Sequence, residues 1–186
     1  MNGTGQPNLV ITGFMGTGKS AVAREVARQL GRDFVDMDAL IEEREGRSIP
    51  RIFQESGEPY FRQVEARLAL ELANRSNLVI ATGGGTLMLA ASRQALLQTG
   101  VVVCLWADVE VLIERLRDDT QRPLLHRPDW EDHLRALLTA REPVYRTLPY
   151  HVDTTGKDVQ QVAAEVIAIY RRALPEFRRT PPASWA

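Results

Sequence analysis

Leu9-Val10-Ile11-Thr12, followed at once by Gly13-Phe14-Met15-Gly16-Thr17-Gly18-Lys19-Ser20, decides the fold of this chain. The apolar run is strand-length and ends at a glycine, and after Ser20 the residues Ala23, Val26, Ala27 and Leu30 recur at helical spacing. The stretch reads as strand, glycine loop, helix. The loop satisfies G-x-x-x-x-G-K-[ST] in full and sits in the strand-to-helix setting that gives the motif its meaning. Glycines let such a loop turn so that successive backbone N–H groups point inward, where they and the positive end of the helix dipole hold a phosphate. Lys19 is placed to neutralise the β- and γ-phosphates of a nucleotide, and the Ser20 hydroxyl to ligate a bridging Mg²⁺. Gly13, Gly16, Thr17, Gly18, Lys19 and Ser20 form the expected ATP-binding set. Lys19 stands out further because Lys157 is the only other lysine in the chain.

Outward from this loop, Gly31 follows the last periodic position, as a helix-ending glycine does, and Phe34-Val35-Asp36 starts a second strand. Asp36 is the expected second acidic partner of the metal, through water because Mg²⁺ dehydrates reluctantly; its alternative use is to cap the next helix. Residues 39–74 are mostly helical in pattern but broken by Gly46, Pro50, Gly57 and Pro59, which predicts several helices. Leu78-Val79-Ile80-Ala81 is a third strand leading into Gly83-Gly84-Gly85, residues 101–106 a fourth, and His151-Val152-Asp153 a weaker fifth. Asp108, and Thr155 with Asp158, are placed to cap the helices that follow the last two strands. Alternating strands and helices predict an α/β, three-layer α/β/α fold around a mostly parallel sheet, with ligands at the carboxyl ends of its strands.

With 186 residues the chain fits one domain, 1–186. A formal net charge of −1 leaves no global field for nucleic acid or an anionic membrane, so neither is an expected partner. The lone Cys104 lies in an apolar run, which rules out an intrachain disulfide or a cysteine metal site and fits a reducing, cytoplasmic setting. Nothing reads as an export signal, and no run reaches the ~18 apolar residues a membrane span needs. His126, His133 and His151 have no metal-ligand spacing. The polar segment of about 117–130, with two prolines, reads as a lid, and about 176–186 as a C-terminal tail.

The succession of Gly13 to Ser20, Asp36-Met37-Asp38, Phe61-Arg62, Gly83-Gly84-Gly85, Arg122-Pro123-Leu124-Leu125 and Arg141-Glu142-Pro143-Val144-Tyr145 resembles the shikimate kinase family over about residues 9–170. The resemblance implies a nucleoside-monophosphate-kinase-like P-loop fold with five parallel strands, a substrate-binding helical region at about 37–75 and a mobile lid. It implies an enzyme, a monomeric phosphotransferase acting on an alcohol group. With Mg²⁺ and ATP as cosubstrate, it would convert the 3-hydroxyl of shikimate to shikimate 3-phosphate in the chorismate route to aromatic amino acids. Arg62 and Arg141 would then clamp the substrate carboxylate, Asp38 accept from the ring hydroxyls and orient the attacking one, and the backbone of Gly83, Gly84 and Gly85 approach the substrate. Arg122 would bind ATP and bring charge onto the transferred phosphoryl, making Lys19, Asp38 and Arg122 the catalytic set. Glu65, one helical turn beyond Arg62, is spaced to hold its guanidinium. Phe53 and Phe61 are candidates to face the ring or simply to fill the core. The chain departs from the family pattern at Thr86, where a small apolar residue is usual. The alternatives are another small-molecule kinase, such as a gluconate kinase, or a non-catalytic nucleotide-binding sensor. Asp36, Asp38, Arg62, Arg122 and Arg141 together weigh against the sensor.

Overall fold

The computed structural model describes residues 5–117, 125 and 128–179. In chain order its elements are β1 (Asn8–Gly13), α1 (Lys19–Leu30), β2 (Asp33–Asp36), α2 (Met37–Glu45), α3 (Ile49–Ala73), β3 (Leu78–Ala81), a 3₁₀ turn (Thr86–Met88), α4 (Ala90–Thr99), β4 (Gly100–Trp106), α5 (Val109–Leu116), α6 (Trp130–Arg146), β5 (Tyr150–Asp153) and α7 (Val159–Arg179). The strands form one sheet in the order β2-β3-β1-β4-β5, every neighbouring pair parallel. β1 is apolar on both faces because it is the middle strand, and Leu9 is in register with Val79 on one side and Val101 on the other.

Side chains alternate across the sheet with period two, and each face has its own core. Leu9, Ile11, Val79, Val101, Val103 and Leu105 pack with Val22 and Val26 of α1 and Val162, Val166 and Tyr170 of α7. Val10, Ile80, Val102 and Cys104 point the other way, into a core closed by Ile41, Ile52, Leu68, Leu72, Leu96, Leu112, Leu134 and Tyr145 of the remaining helices. The Cys104 thiol is fully buried, and burial pushes its pKa up to about 12 against the opposing pull of Lys19.

The helical region after β2 is built much as its glycines and prolines predict. Gly31 and Gly46 end α1 and α2 in the left-handed conformation, and Pro50 sits in the first turn of α3. Gly57, with φ 80° and ψ 165°, breaks α3 into two helical segments at a kink, as expected, one turn before the site residues Phe61 and Arg62. Two capping expectations need correction. Asp108 stands at the N-cap of α5 but makes no side-chain cap bond, its N–H donating instead to Thr155 Oγ1 at 3.2 Å. Thr155 is used in that contact, while Asp158 alone caps α7: its carboxylate accepts from the Gln161 N–H at 2.8 Å and its own N–H donates to Gln161 Oε1 at 2.9 Å. α7 runs to Arg179, into the segment expected as tail, and the rest of that segment lies outside the described residues. Most of the expected lid, including Arg122 and His126, lies outside the described residues. Among the described residues no helix is long and apolar enough to cross a membrane.

One buried polar side chain ties three elements together. Asn8, fully buried, donates through Nδ2 to the carbonyls of Leu72 at 3.1 Å and Arg75 at 2.8 Å, and its Oδ1 accepts from the Leu78 N–H at 3.0 Å. The end of α3 and the start of β3 are thereby fixed to the first residue of β1. Asn8→Ala would leave the buried Leu78 N–H without its partner and take one bond from each of two carbonyls, so urea unfolding should show a loss of about 2 kcal/mol. A loss under about 1 kcal/mol would mean that water replaces the amide.

Candidate active site

A cavity of about 440 Å³ opens at the carboxyl ends of the strands around β1 and β3. Lys19, Ser20, Asp38, Arg62, Gly83, Gly84, Gly85 and Arg141, expected from five separate stretches of sequence, all line it, together with Phe53, Phe61, Glu65 and Arg115. Its nucleotide end is the loop between β1 and α1, where Gly16 and Gly18 have φ of 80° and 85°, a backbone that favours glycine. Within the loop the Phe14 carbonyl accepts from Thr17 Oγ1 at 2.8 Å and Lys19 Nζ at 2.9 Å. Thr17 is buried in this arrangement and braces the loop from within. Gly13 braces it from the sheet side: a Cβ there would stand 2.3 Å from the Leu105 carbonyl of β4. Arg115, for which the sequence carried no signal, donates to the Gly16 carbonyl at 3.2 Å and to Thr154 Oγ1 and O at 2.9 and 2.8 Å, tying the loop to the end of β5.

Asp36 and Asp38 divide their work. Asp36 caps α2, its Oδ1 accepting from the N–H groups of Asp38 at 3.1 Å and Ala39 at 3.3 Å, and it is not among the cavity-lining residues. The cap sets Asp38 in the first turn of α2 with its carboxylate against Gly83, where an added Cβ would lie 2.7 Å from Asp38 Oδ1 and 2.7 Å from Glu65 Oε1. Only glycine leaves room for both carboxylates at that point.

The other end of the cavity is cationic. Arg62 donates through Nη1 to Glu65 Oε2 at 2.7 Å, through Nε and Nη2 to Glu58 Oε1 at 3.2 and 3.0 Å, and lies over the Phe61 ring at 5.2 Å. Phe61 in turn packs on Phe53 with ring centroids 4.8 Å apart, so both rings serve as wall as well as core. Arg62 approaches Gly85 so closely that a Cβ there would meet Nη1 at 2.5 Å. Arg141, from α6, lies over the Phe14 ring at 5.8 Å and within 3.4 Å of a Cβ built on Gly84. The glycine loop is pinned from behind by Tyr145, whose hydroxyl donates to the Gly84 carbonyl at 2.5 Å; burial pushes its phenol well above the usual range, keeping it a neutral donor. Glu65 is held on both oxygens, since Thr86 Oγ1 donates to Oε1 at 2.7 Å. Tyr145 was visible in sequence only as the end of the Arg141 motif and Thr86 only as a departure from the family pattern, with no sign of these bonds.

A phosphate cradle, two guanidinium groups and a carboxylate lining one cavity can pass a phosphoryl group to a hydroxyl of a small anionic acceptor. Among the described residues no group of three or more His, Cys, Asp or Glu could hold a metal by itself. The Ser20 hydroxyl, in the cavity lining, is a hard oxygen donor of the kind Mg²⁺ takes sparingly, completing its shell with phosphates and water, and it fits that ion.

A family model described as shikimate kinase matches residues 15–171. The shikimate kinase of Geobacter sulfurreducens is 45% identical, covering 88% of this chain and 91% of its own, and that of Thermus thermophilus is 46% identical over 86% and 87%. Among solved structures, a shikimate kinase from Acinetobacter baumannii in complex with shikimate superposes with a TM-score of 0.85 at 39% identity, covering 90% of this chain and 94% of that one.

The Arg62–Glu65 pair is lopsided, with the arginine side chain 34% exposed and the glutamate 4%. Removing the arginine strands a buried anion, whereas removing the charge from the glutamate leaves a cation that still reaches water and Glu58. Arg62→Met should therefore cost about 3 kcal/mol in urea unfolding and Glu65→Gln less than about half of that. Equal losses would show that Glu65 gains access to water in the variant.

Proposed function

The chain belongs to the shikimate kinase family, the premise on which we propose how its own residues divide the work of ATP-dependent shikimate phosphorylation. The oxygen of the 3-hydroxyl forms a bond to the γ-phosphorus, the bond from that phosphorus to the β,γ-bridging oxygen breaks, and ADP leaves with the electron pair. The hydroxyl proton is accepted by Asp38. Phosphoryl transfer of this kind has a loose transition state and needs positioning and charge more than a strong base. Asp38 accordingly acts first by orienting the hydroxyl.

Gly13, Gly16, Thr17, Gly18, Lys19 and Ser20 take the nucleotide, the backbone N–H groups cradling the β-phosphate and Lys19 countering the charge that builds toward the bridging oxygen. Arg62 and Arg141 grip the shikimate carboxylate from two directions, a geometry that two planar guanidinium groups suit better than lysines would. Gly83, Gly84 and Gly85 present backbone to the substrate. Ser20, and Asp36 through water, would hold Mg²⁺, which when bound neutralises the phosphate oxygens. Arg122 adds charge on the transferred phosphoryl, a role resting on the family resemblance. A monomer is the proposed working form, as the family resemblance implies. The net charge of −1 and the reduced Cys104 fit a cytoplasmic setting with no nucleic-acid or membrane partner.

The observation that carries this reading is the position of Asp38, which lines one cavity with Lys19, Arg62 and Arg141. Coupled ADP release with Mg-ATP should depend on shikimate and not on gluconate; release with gluconate instead would reassign the acceptor. Asp38→Asn should lower kcat by about a hundredfold or more while nucleotide affinity changes less than about twofold. Near-normal turnover in that variant would sink the role given to Asp38. Arg62→Ala should raise KM for shikimate far more than KM for ATP.

A further inference from the structure

Arg62 is pulled two ways. Glu58, whose side chain is 62% exposed, draws the guanidinium outward through Nε and Nη2, and Glu65, buried, draws it inward through Nη1. Glu65 can hold its side of this balance only while its own carboxylate is fixed. Two groups fix it: Arg62 on Oε2 and the Thr86 hydroxyl on Oε1, each at 2.7 Å. Thr86 is itself 1% exposed and opens the 3₁₀ turn that follows the triple glycine. A β-branched side chain has few χ1 choices, and one so enclosed has fewer, so its hydroxyl is a fixed donor. Thr86 Oγ1, Glu65 Oε1 and Asp38 Oδ1 also converge on one spot, at 3.2, 2.7 and 2.7 Å from a Cβ built on Gly83. The Thr86 proton thus sits on the glutamate oxygen that shares this spot with Asp38 and offsets the repulsion between the two carboxylates.

We infer that Thr86 is a positioning residue for the acceptor: by holding Glu65 it keeps Arg62 turned toward the cavity and leaves Asp38 room to bind a hydroxyl. The inference rests on the reading of Arg62 and Asp38 as acceptor-binding groups. Without the Thr86 donor, Glu65 loses one of its two anchors, and the outward pull of Glu58 takes over the guanidinium. The nucleotide end of the cavity, built on the β1–α1 loop, does not feel this change.

The test is steady-state kinetics of Thr86→Val, which keeps the shape and removes the donor, beside Thr86→Ser, which keeps the donor. Thr86→Val should raise KM for shikimate about tenfold and leave KM for ATP within about twofold, and Thr86→Ser should stay within about threefold of the parent. Placing Thr86→Val in a Glu58→Gln background should shrink the rise in KM, because the competing pull is gone; a purely structural role for Thr86 would not respond to Glu58. If Thr86→Val does not fold, Thr86→Ala reads the same loss of the donor. An unchanged KM for shikimate, an equal rise for both substrates, or Thr86→Ser as impaired as Thr86→Val would each overturn the inference. A parent enzyme with no shikimate-dependent ADP release would overturn the acceptor reading itself, which the variants do not address.

Discussion

A carboxylate taken out of water must be answered by charge and hydrogen bonds, and Glu65 is the one on which the acceptor half of this protein turns. The desolvation penalty is several kcal/mol for an ion in a protein interior, comparable with the whole margin of stability of a domain. The structure answers it with Arg62 on one oxygen and Thr86 on the other. Those two bonds fix the direction of Arg62, and Arg62 leaves no room for a side chain at Gly85. Gly83 has the same restriction from the carboxylates of Glu65 and Asp38. The glycine run is therefore a consequence of the charges packed against it as much as a provision for a substrate.

The two halves of the cavity are held by different means. At the nucleotide end, parallel pairing of β1 with β3 and β4 brings strand ends together, and local hydrogen bonds to the Phe14 carbonyl shape the loop. That end needs little from distant sequence apart from the brace supplied by Arg115. At the acceptor end, α2, α3 and α6 contribute side chains and the loop after β3 contributes backbone, and no local rule aligns them. Alignment comes from the core under the sheet and from single long-range bonds, such as Tyr145 to the Gly84 carbonyl. Small displacements of a helix would separate Arg62 from Arg141 without disturbing the phosphate cradle.

This difference explains what the sequence disclosed. The β1–α1 loop, the strands, the left-handed glycines at 31 and 46 and the cap at Asp158 depend on neighbours a few residues away, so spacing alone reveals them. Asn8 could not be read in that way, because its partners lie more than sixty residues along the chain. The Thr86–Glu65 bond joins residues 21 apart on different elements, and Arg115 reaches across 99 residues to Gly16. Asp36 was legible as both a cap and a metal partner; the cap is what the backbone geometry expresses. Asp108 carried an equally good capping signal, yet Thr155 supplies the bond to its N–H from another loop.

Cys104 gives the fold an internal clock. Thiol reagents attack the thiolate, and this thiol, lodged between Thr12 and His151 on neighbouring strands, is almost wholly protonated at neutral pH. A reagent gains access only when the helices packed on that face of the sheet move away, so the labelling rate counts openings of that core. A single native atom thus reports when that half of the core comes apart.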